Sequence, residues 1–387
     1  MPAMLLQPVQ ASQPESKSAL PAKSRLPSLD GWRALSILLV LGGHSERVYH
    51  YSPKWMPVFH WFDGGLGVLC FFVISGFLIT WLMLVENDRL GRISLKHFYI
   101  RRALRILPVF YTFLLTVAAL QYFTPYSQNW VEWIGNLTFT QNFIDSPHTT
   151  GHLWSLSVEE QFYLLWPVTL VCLIKCGANN RHILGFLALP ILAAPFCRVL
   201  GHNPSSAMFV PFLAGRSFFS YFDLLAVGCA CAVYLANVRR TDCQKTIFHT
   251  HRRAILLAGL VLVLIPYVLD NINDSHLILR ILRVTVIPSF EALGFALLML
   301  QSVFLPDLGI YRILNWRWVC QIGVLSYSIY IWQQIFCNKP GVLGLGPVWW
   351  MSFPGWLVPV FVVSFISYYG LERPILKLRV LFRDDRG

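Results

Sequence analysis

Long apolar runs recur along this chain, and they decide what it can fold into. Ten can be drawn, at about 31–46, 64–84, 106–123, 154–174, 183–200, 213–236, 254–270, 284–304, 319–338 and 348–370. Each is near the roughly 20 residues that carry a helix across a bilayer. Of the 387 residues 56% are hydrophobic and 13% charged, against roughly 25% charged in an average soluble domain. The runs therefore predict an all-α integral membrane protein, a bundle of about ten transmembrane helices. The first run is short as drawn, and Pro-rich loops blur the edges of several others.

An even number of spans puts both termini on one side, and the distribution of Lys and Arg says which. With the termini inside, about 24 of the 31 Lys and Arg fall in cytoplasmic segments, so both termini are predicted to be cytoplasmic. Residues 1–28, rich in Pro, Ser, Gln and Lys and without the apolar core of a cleaved signal peptide, read as a disordered cytoplasmic tail. Residues 29–374 form the polytopic membrane domain, and 375–387 a basic cytoplasmic tail. The formal net charge is +12, but its basic residues cluster at Arg89 to Arg105, Arg239 to Arg253 and Arg373 to Arg386. Positive-inside topology and anionic lipid account for such inner-face loops, and no nucleic-acid recognition fold accompanies them. The nine Cys lie mostly within the runs and include no C-x-x-C pair, so neither a disulfide framework nor a metal site is predicted.

Within the first run, Arg33 and His44 are eleven residues apart. On a helix that spacing is three turns plus about 20°, so the two side chains share a face roughly 16 Å apart along the axis. Ionisable groups inside a membrane segment usually face a protein interior or a water-filled cavity. A snorkelling arginine and a hydrogen-bonded core histidine would fit the same spacing.

The second run contains Ser75-Gly76, small residues that permit close helix packing. After it, Arg101, Arg102 and Arg105 meet the cytoplasmic end of the third run. Arg101 and Arg105, spaced i, i+4, can grip phosphates bidentately, though topology and lipid headgroups also explain them. The segment Thr124 to Gly151 should be outside, and it leads into His152-Leu-Trp-Ser-Leu-Ser-Val-Glu-Glu-Gln-Phe-Tyr163. Ser155 or Ser157 can cap that helix, with Glu159 and Glu160 in its first turns. Capping does not use up the whole run, and His152, Ser155, Ser157, Glu159 and Glu160 suggest a polar pocket for a hydroxyl-bearing substrate. Arg216 and Asp223, seven apart, share a helical face and can pair, and both are expected to point inward with Glu291. The chain closes with Gly323-Val-Leu-Ser-Tyr-Ser-Ile-Tyr-Ile-Trp332 and Leu371-Glu-Arg-Pro374.

This set of segments resembles the membrane-bound acyltransferase-3 family of bacterial sugar O-acyltransferases along nearly the whole chain. The matching pieces are LDGWRAL with Arg33-x10-His44, GVLCFFVISGFLI, FYIRRALRILP, HLWSLSVEEQFYL, GVLSYSIYIW and LERP, in the family's order. The resemblance implies a multi-pass protein of the bacterial cell inner membrane that moves an acyl group, usually acetyl, from cytoplasmic acetyl-CoA to a hydroxyl of a glycan or lipid-linked sugar. It implies no permanently bound cofactor, acyl-CoA as donor substrate, and an essential role for Arg33 and His44. Two positions depart from the family's pattern. Leu69 stands where Asp is common, and Gln333 follows Trp332 where His is frequent; both bear on which acceptor is used.

Acyl transfer from a thioester to an alcohol needs a base for the hydroxyl proton and stabilisation for the oxyanion. His44 is the candidate base, and Gly42-Gly43 before it would leave room for a ligand. Arg33, with Arg101, Arg102 and Arg105, suits the anionic end of acyl-CoA. His152, Ser155, Ser157, Glu159, Glu160 and Arg216 would hold the acceptor. A covalent acyl-enzyme on His44 or a serine is open at this stage, as is a transporter of a lipid-linked sugar without chemistry. The acceptor's identity and the acyl chain length are not readable from these residues.

Overall fold

The computed structural model describes residues 26, 28–48, 62–144, 149–202, 216–238, 243–270, 277–337, 343–344 and 354–378. Most of the two tails, the start of the sixth run and the start of the tenth lie outside the described residues. Among the described residues every regular element is helical. In chain order they are α1 (Leu29–Val48), α2 (Gly64–Leu90), α3 (Leu95–Phe123), α4 (Trp130–Leu137), α5 (Leu153–Lys175), α6 (Asn180–His202), α7 (Phe218–Val238), α8 (Cys243–Thr250), α9 (Arg252–Asp270), α10 (Leu277–Thr285), α11 (Ile287–Phe304), α12 (Gly309–Leu314), α13 (Arg317–Phe336), α14 (Leu357–Ser367) and α15 (Arg373–Lys377). A 3-10 turn, Gln141–Phe143, follows α4, and a π-helical turn, Tyr368–Glu372, joins the last two helices.

Six of these, α2, α3, α5, α6, α7 and α11, are long and apolar enough to cross a membrane. The chain is a multi-pass helical membrane protein. The runs drawn at 31–46, 254–270, 319–338 and 348–370 correspond to α1, α9, α13 and α14. The described part of none of these four meets both the length and the hydropathy of a span.

Glycine sets how closely the central helices approach. A Cβ on Gly76 of α2 would sit 2.0 Å from the Leu225 carbonyl oxygen of α7, and one on Gly228 of α7 would sit 2.1 Å from that of Val73. The two helices thus meet backbone to backbone, as small residues allow where lipid offers no hydrophobic drive to associate. The same holds for α1 against α13, where a Cβ on Gly323 would fall 1.8 Å from the Asp30 carbonyl oxygen. Gly42 and Gly43 serve this purpose too. Cβ atoms there would meet the Phe62 ring at 2.3 Å and the Gly64 amide nitrogen at 2.2 Å. The space beside them belongs to the start of α2, not to a ligand as their sequence suggests.

Two turns place the polar residues. Only Gly91 to Ser94 separate α2 from α3, with Gly91 in the left-handed region at φ 65°. Glu86 braces this hairpin by accepting from the Ser94 amide at 2.8 Å and pairing with Arg101 at 2.8 Å. The segment after α3 is not a free loop. It folds back along α3, from the Trp133 indole donating to Gln121 Oε1 at 3.1 Å down to Phe139 stacked on Phe110 at 4.5 Å. Eleven helical residues of α3 separate those contacts, roughly 16 Å of descent. As a result α5 begins deep in the bundle, with His152 edge-on to Phe113 at 5.6 Å.

Candidate active site

The hairpin of α2 and α3, together with α1, α5 and α13, encloses a cavity of about 780 Å³. Its apolar wall comes largely from α2, with Phe71, Phe72, Leu78, Ile79 and Leu82. Five arginines, Arg33, Arg89, Arg101, Arg102 and Arg105, line it with three carboxylates, Asp30, Glu86 and Glu159, while Glu160 and Glu372, off the wall, lie within electrostatic reach of Arg102 and of Arg105 and Arg33 respectively. Arg101 is engaged by Glu86. Arg102 lies over the Tyr163 ring at 5.1 Å and the Phe98 ring at 5.7 Å, contacts that hold a guanidinium in an apolar wall. Arg33 is within electrostatic reach of Arg105, Asp30, Tyr163 and Glu159.

On the α5 side, Glu159 Oε1 accepts from Ser75 Oγ at 2.7 Å and Glu159 Oε2 from the Tyr163 hydroxyl at 3.2 Å. Ser75 is therefore more than a small packing residue; it lines the cavity and orients a carboxylate. Ser155 also lines the cavity, its Oγ hydrogen-bonded to the Tyr330 hydroxyl of α13. Neither Ser155 nor Ser157 caps α5, whose N-cap is His152 without a side-chain cap bond. Both hydroxyls instead turn back to their own helix, Ser155 to the His152 carbonyl at 3.3 Å and Ser157 to that of Leu153 at 3.0 Å.

Beyond Ser155 and Tyr330 lies a second polar group. The Tyr330 hydroxyl donates to the His152 carbonyl at 2.7 Å, and His152 Nε2 meets the Ile331 carbonyl at 3.2 Å. His44 is half-buried, with Nδ1 3.1 Å from Gln333 Oε1, and His152 is within its electrostatic reach. Because Gln333 follows Tyr330 by three positions, His44 stands about one helical turn, roughly 5 Å, past the end of the cavity.

The structure thus gathers Arg33, Arg101, Arg102, Arg105, Ser155 and Glu159 on one cavity and sets His44 and His152 just beyond it. Ser157, Glu160 and Arg216 do not line the cavity. Arg216 is exposed, over the Trp154 ring at 5.1 Å, and it does not pair with Asp223. That carboxylate belongs to Arg198 of α6, which reaches both its oxygens at 2.5 and 2.6 Å. Glu291 is buried, as its place in an apolar run implies. Sequence reasoning passed over Glu86, Arg89, Tyr327 and Tyr330 as lining residues. It also passed over Glu372, which accepts from Ser328 inside the bundle. The signal for the tyrosines was present: Tyr327, Tyr330 and Gln333 recur every third residue along one side of α13. Among the described residues no group of three or more His, Cys, Asp or Glu is placed to hold a metal ion.

The chain matches the family model described as an acyltransferase domain over residues 26–371. It is similar to the peptidoglycan O-acetyltransferase OatA of Listeria monocytogenes, with 28% identity over 92% of this chain and 56% of that protein. It is likewise similar to the putative peptidoglycan O-acetyltransferase YrhL of Bacillus subtilis, with 29% identity over 90% of this chain and 55% of that protein. A putative O-acetyltransferase of Staphylococcus aureus, SACOL0978, is 28% identical over 91% and 57% respectively. The chain thus spans a little over half the length of these relatives. No solved structure matches it. With an acyltransferase-domain match from the first described helix to the π-helical turn, the chain belongs to the acyltransferase-3 family.

Proposed function

We propose that this protein transfers an acyl group, acetyl in the simplest case, from cytoplasmic acyl-CoA to a hydroxyl of a glycan or lipid-linked sugar. In this reading it sits in the bacterial inner membrane with ten spans and both termini in the cytoplasm, the orientation that the Lys and Arg distribution favours. The observation that carries the proposal is the cavity: four candidate arginines from two separate helices line one apolar-walled chamber. Phosphates of the donor would be held by Arg33, Arg102 and Arg105, with Arg101 fixed by Glu86 at the rim. Its acyl arm would run along the α2 wall towards Ser155, Tyr330 and His44.

At that end the acceptor hydroxyl attacks the thioester carbonyl as His44 Nε2 takes its proton. The new C–O bond forms, the C–S bond of the tetrahedral intermediate breaks, and the imidazolium returns the proton to the departing thiolate. Ser155, Glu159 and His152 would orient the acceptor. Ser157, Glu160 and Arg216, off the cavity wall, have no part in this reading. The names of the relatives favour a cell-wall glycan as acceptor.

The test is transfer of label from radiolabelled acetyl-CoA in membranes carrying the wild-type chain or His44→Ala, with host cell-surface glycan as acceptor. Label in glycan with wild type alone is the expected result. A His44→Ala protein that inserts normally and transfers at the wild-type rate would overturn the assignment of the base. Wild-type membranes that neither consume nor bind acetyl-CoA would favour the transporter reading instead.

A further inference from the structure

We infer that Gln333 is the positioning residue for His44, fixing the tautomer and direction of its ring. This rests on the reading of His44 as the base. The two residues come from opposite ends of the chain, 289 positions apart, and meet at 3.1 Å between His44 Nδ1 and Gln333 Oε1. An amide oxygen only accepts, so the ring nitrogen facing it carries the proton, and the basic lone pair falls on Nε2. Gln333 is completely buried, which holds its amide to a fixed orientation. Its helix is anchored beside it: Tyr330 donates to the His152 carbonyl, Ile331 accepts from the His152 ring, and Trp332 packs edge-on to Phe113 at 5.7 Å. The amide nitrogen Nε2 of Gln333 is buried and has no partner among the described residues. The oxygen's bond to His44 is the use the structure makes of the amide.

Chemistry favours glutamine for this role. Histidine at the same position would compete for the proton, and a carboxylate would hold the His44 imidazolium charged. Glutamine orients the ring without titrating. Among the described residues of other helices, His152 from α5 and Asp63, whose backbone abuts Gly43 at the start of α2, are titratable groups set against this end of α1.

Two variants test the assignment, each assayed for acyl transfer in membranes with insertion checked by membrane-fraction level. Gln333→Met keeps the volume and removes the acceptor; kcat should fall about 10- to 100-fold, as for other partners that orient a functional histidine. KM for acyl-CoA should stay within about twofold, because the donor arginines are untouched. Gln333→Glu keeps an acceptor and adds a charge. A neighbouring carboxylate favours the imidazolium, so the acid limb of the pH–rate profile should move to higher pH by about one pH unit or more. A Gln333→Met enzyme with wild-type kcat, or a Gln333→Glu enzyme with an unmoved acid limb, would overturn the inference. If Gln333→Met fails to insert, the acid limb of Gln333→Glu decides alone. His44→Ala separates the two levels. If it stays active, the base assignment itself falls; if it is inactive while Gln333→Met behaves as wild type, only the present inference does.

Discussion

Two regions of this bundle bury charged groups, and they do so in opposite ways. Around Arg198 the account is closed. Its Nε donates to the Ser220 carbonyl at 2.7 Å, Nη1 to the Thr285 carbonyl at 2.6 Å and Ser289 Oγ at 3.2 Å, and Nη2 to both oxygens of Asp223. Ser289 in turn donates to Asp223 at 2.5 Å. All five guanidinium donors have acceptors, and the network ties α6, α7, α10 and α11 together. Around the cavity the account stays open. Among the described residues His152 Nδ1, Ser326 Oγ and Gln333 Nε2 are buried without partners, and the cavity lining itself carries five arginines to three carboxylates. A buried charge in a membrane helix is therefore not by itself a mark of function. What separates scaffold from site is whether the protein satisfies its own groups or leaves them for something else.

The largest expected effect lies in the closed region. Arg198→Met strands Asp223 with no charge partner in a site that excludes water, which should cost about 3–5 kcal/mol. Little protein should then reach the membrane, and what does should melt early in detergent. Adding Asp223→Leu should recover much of the loss, since replacing both members of a buried pair is far milder than breaking it. A double variant as unstable as the single would mean the pair does more than hold helices together. In the open region the balance should invert. Arg105→Met removes a cation from the donor end of the cavity, so KM for acyl-CoA should rise about tenfold or more, the value of one charge-assisted hydrogen bond. Its melting temperature should stay near that of wild type. A large fall in melting temperature with unchanged KM would place Arg105 with the scaffold.

The contrast also explains what the sequence could and could not reveal. Helix positions were legible because apolar runs of span length have few alternatives. The shared inward face of Arg33 and His44 was legible because it depends on helical pitch alone. Partner choice was not. Arg216 looked like the mate of Asp223 because both fall on one predicted face, yet the mate sits on α6, brought in by folding. The rule that singles out Arg33 applies equally to Arg198, an arginine inside the apolar run 183–200. The cavity residues Ser75, Tyr163 and Tyr330 come from α2, α5 and α13. No periodicity within one segment encodes such a meeting. The hydrogen bond between His44 and Gln333 is the extreme case: the sequence shows an unusual residue after Trp332, and only the fold shows what it touches.

The finest comparison is between two serines two residues apart on α5. Both turn back to backbone carbonyls at the start of α5, but Ser155 also lines the cavity and bonds across to Tyr330, whereas Ser157 is buried on another side and bonds to Leu153 alone. A hydroxyl that satisfies its own helix contributes little to the fold or the site. Ser157→Ala should therefore cost no more than about 1 kcal/mol, the value of one hydrogen bond, and leave transfer unchanged. Ser155→Ala removes the bonds to Tyr330 and to the His152 carbonyl, each worth about 1 kcal/mol, but Tyr330 keeps its own bond to the His152 carbonyl, so the fold should hold. The loss should appear in the reaction, as a roughly fivefold fall in transfer, because a tyrosine hydroxyl held by one bond in place of two loosens the boundary between the cavity and His44. Side-by-side transfer and melting measurements on the two alanine variants decide the matter. Equal effects from both would erase the distinction between open and closed networks at the scale of a single hydroxyl, whereas a kinetic loss confined to Ser155→Ala would locate the entrance to the reacting end of the cavity at this serine and Tyr330.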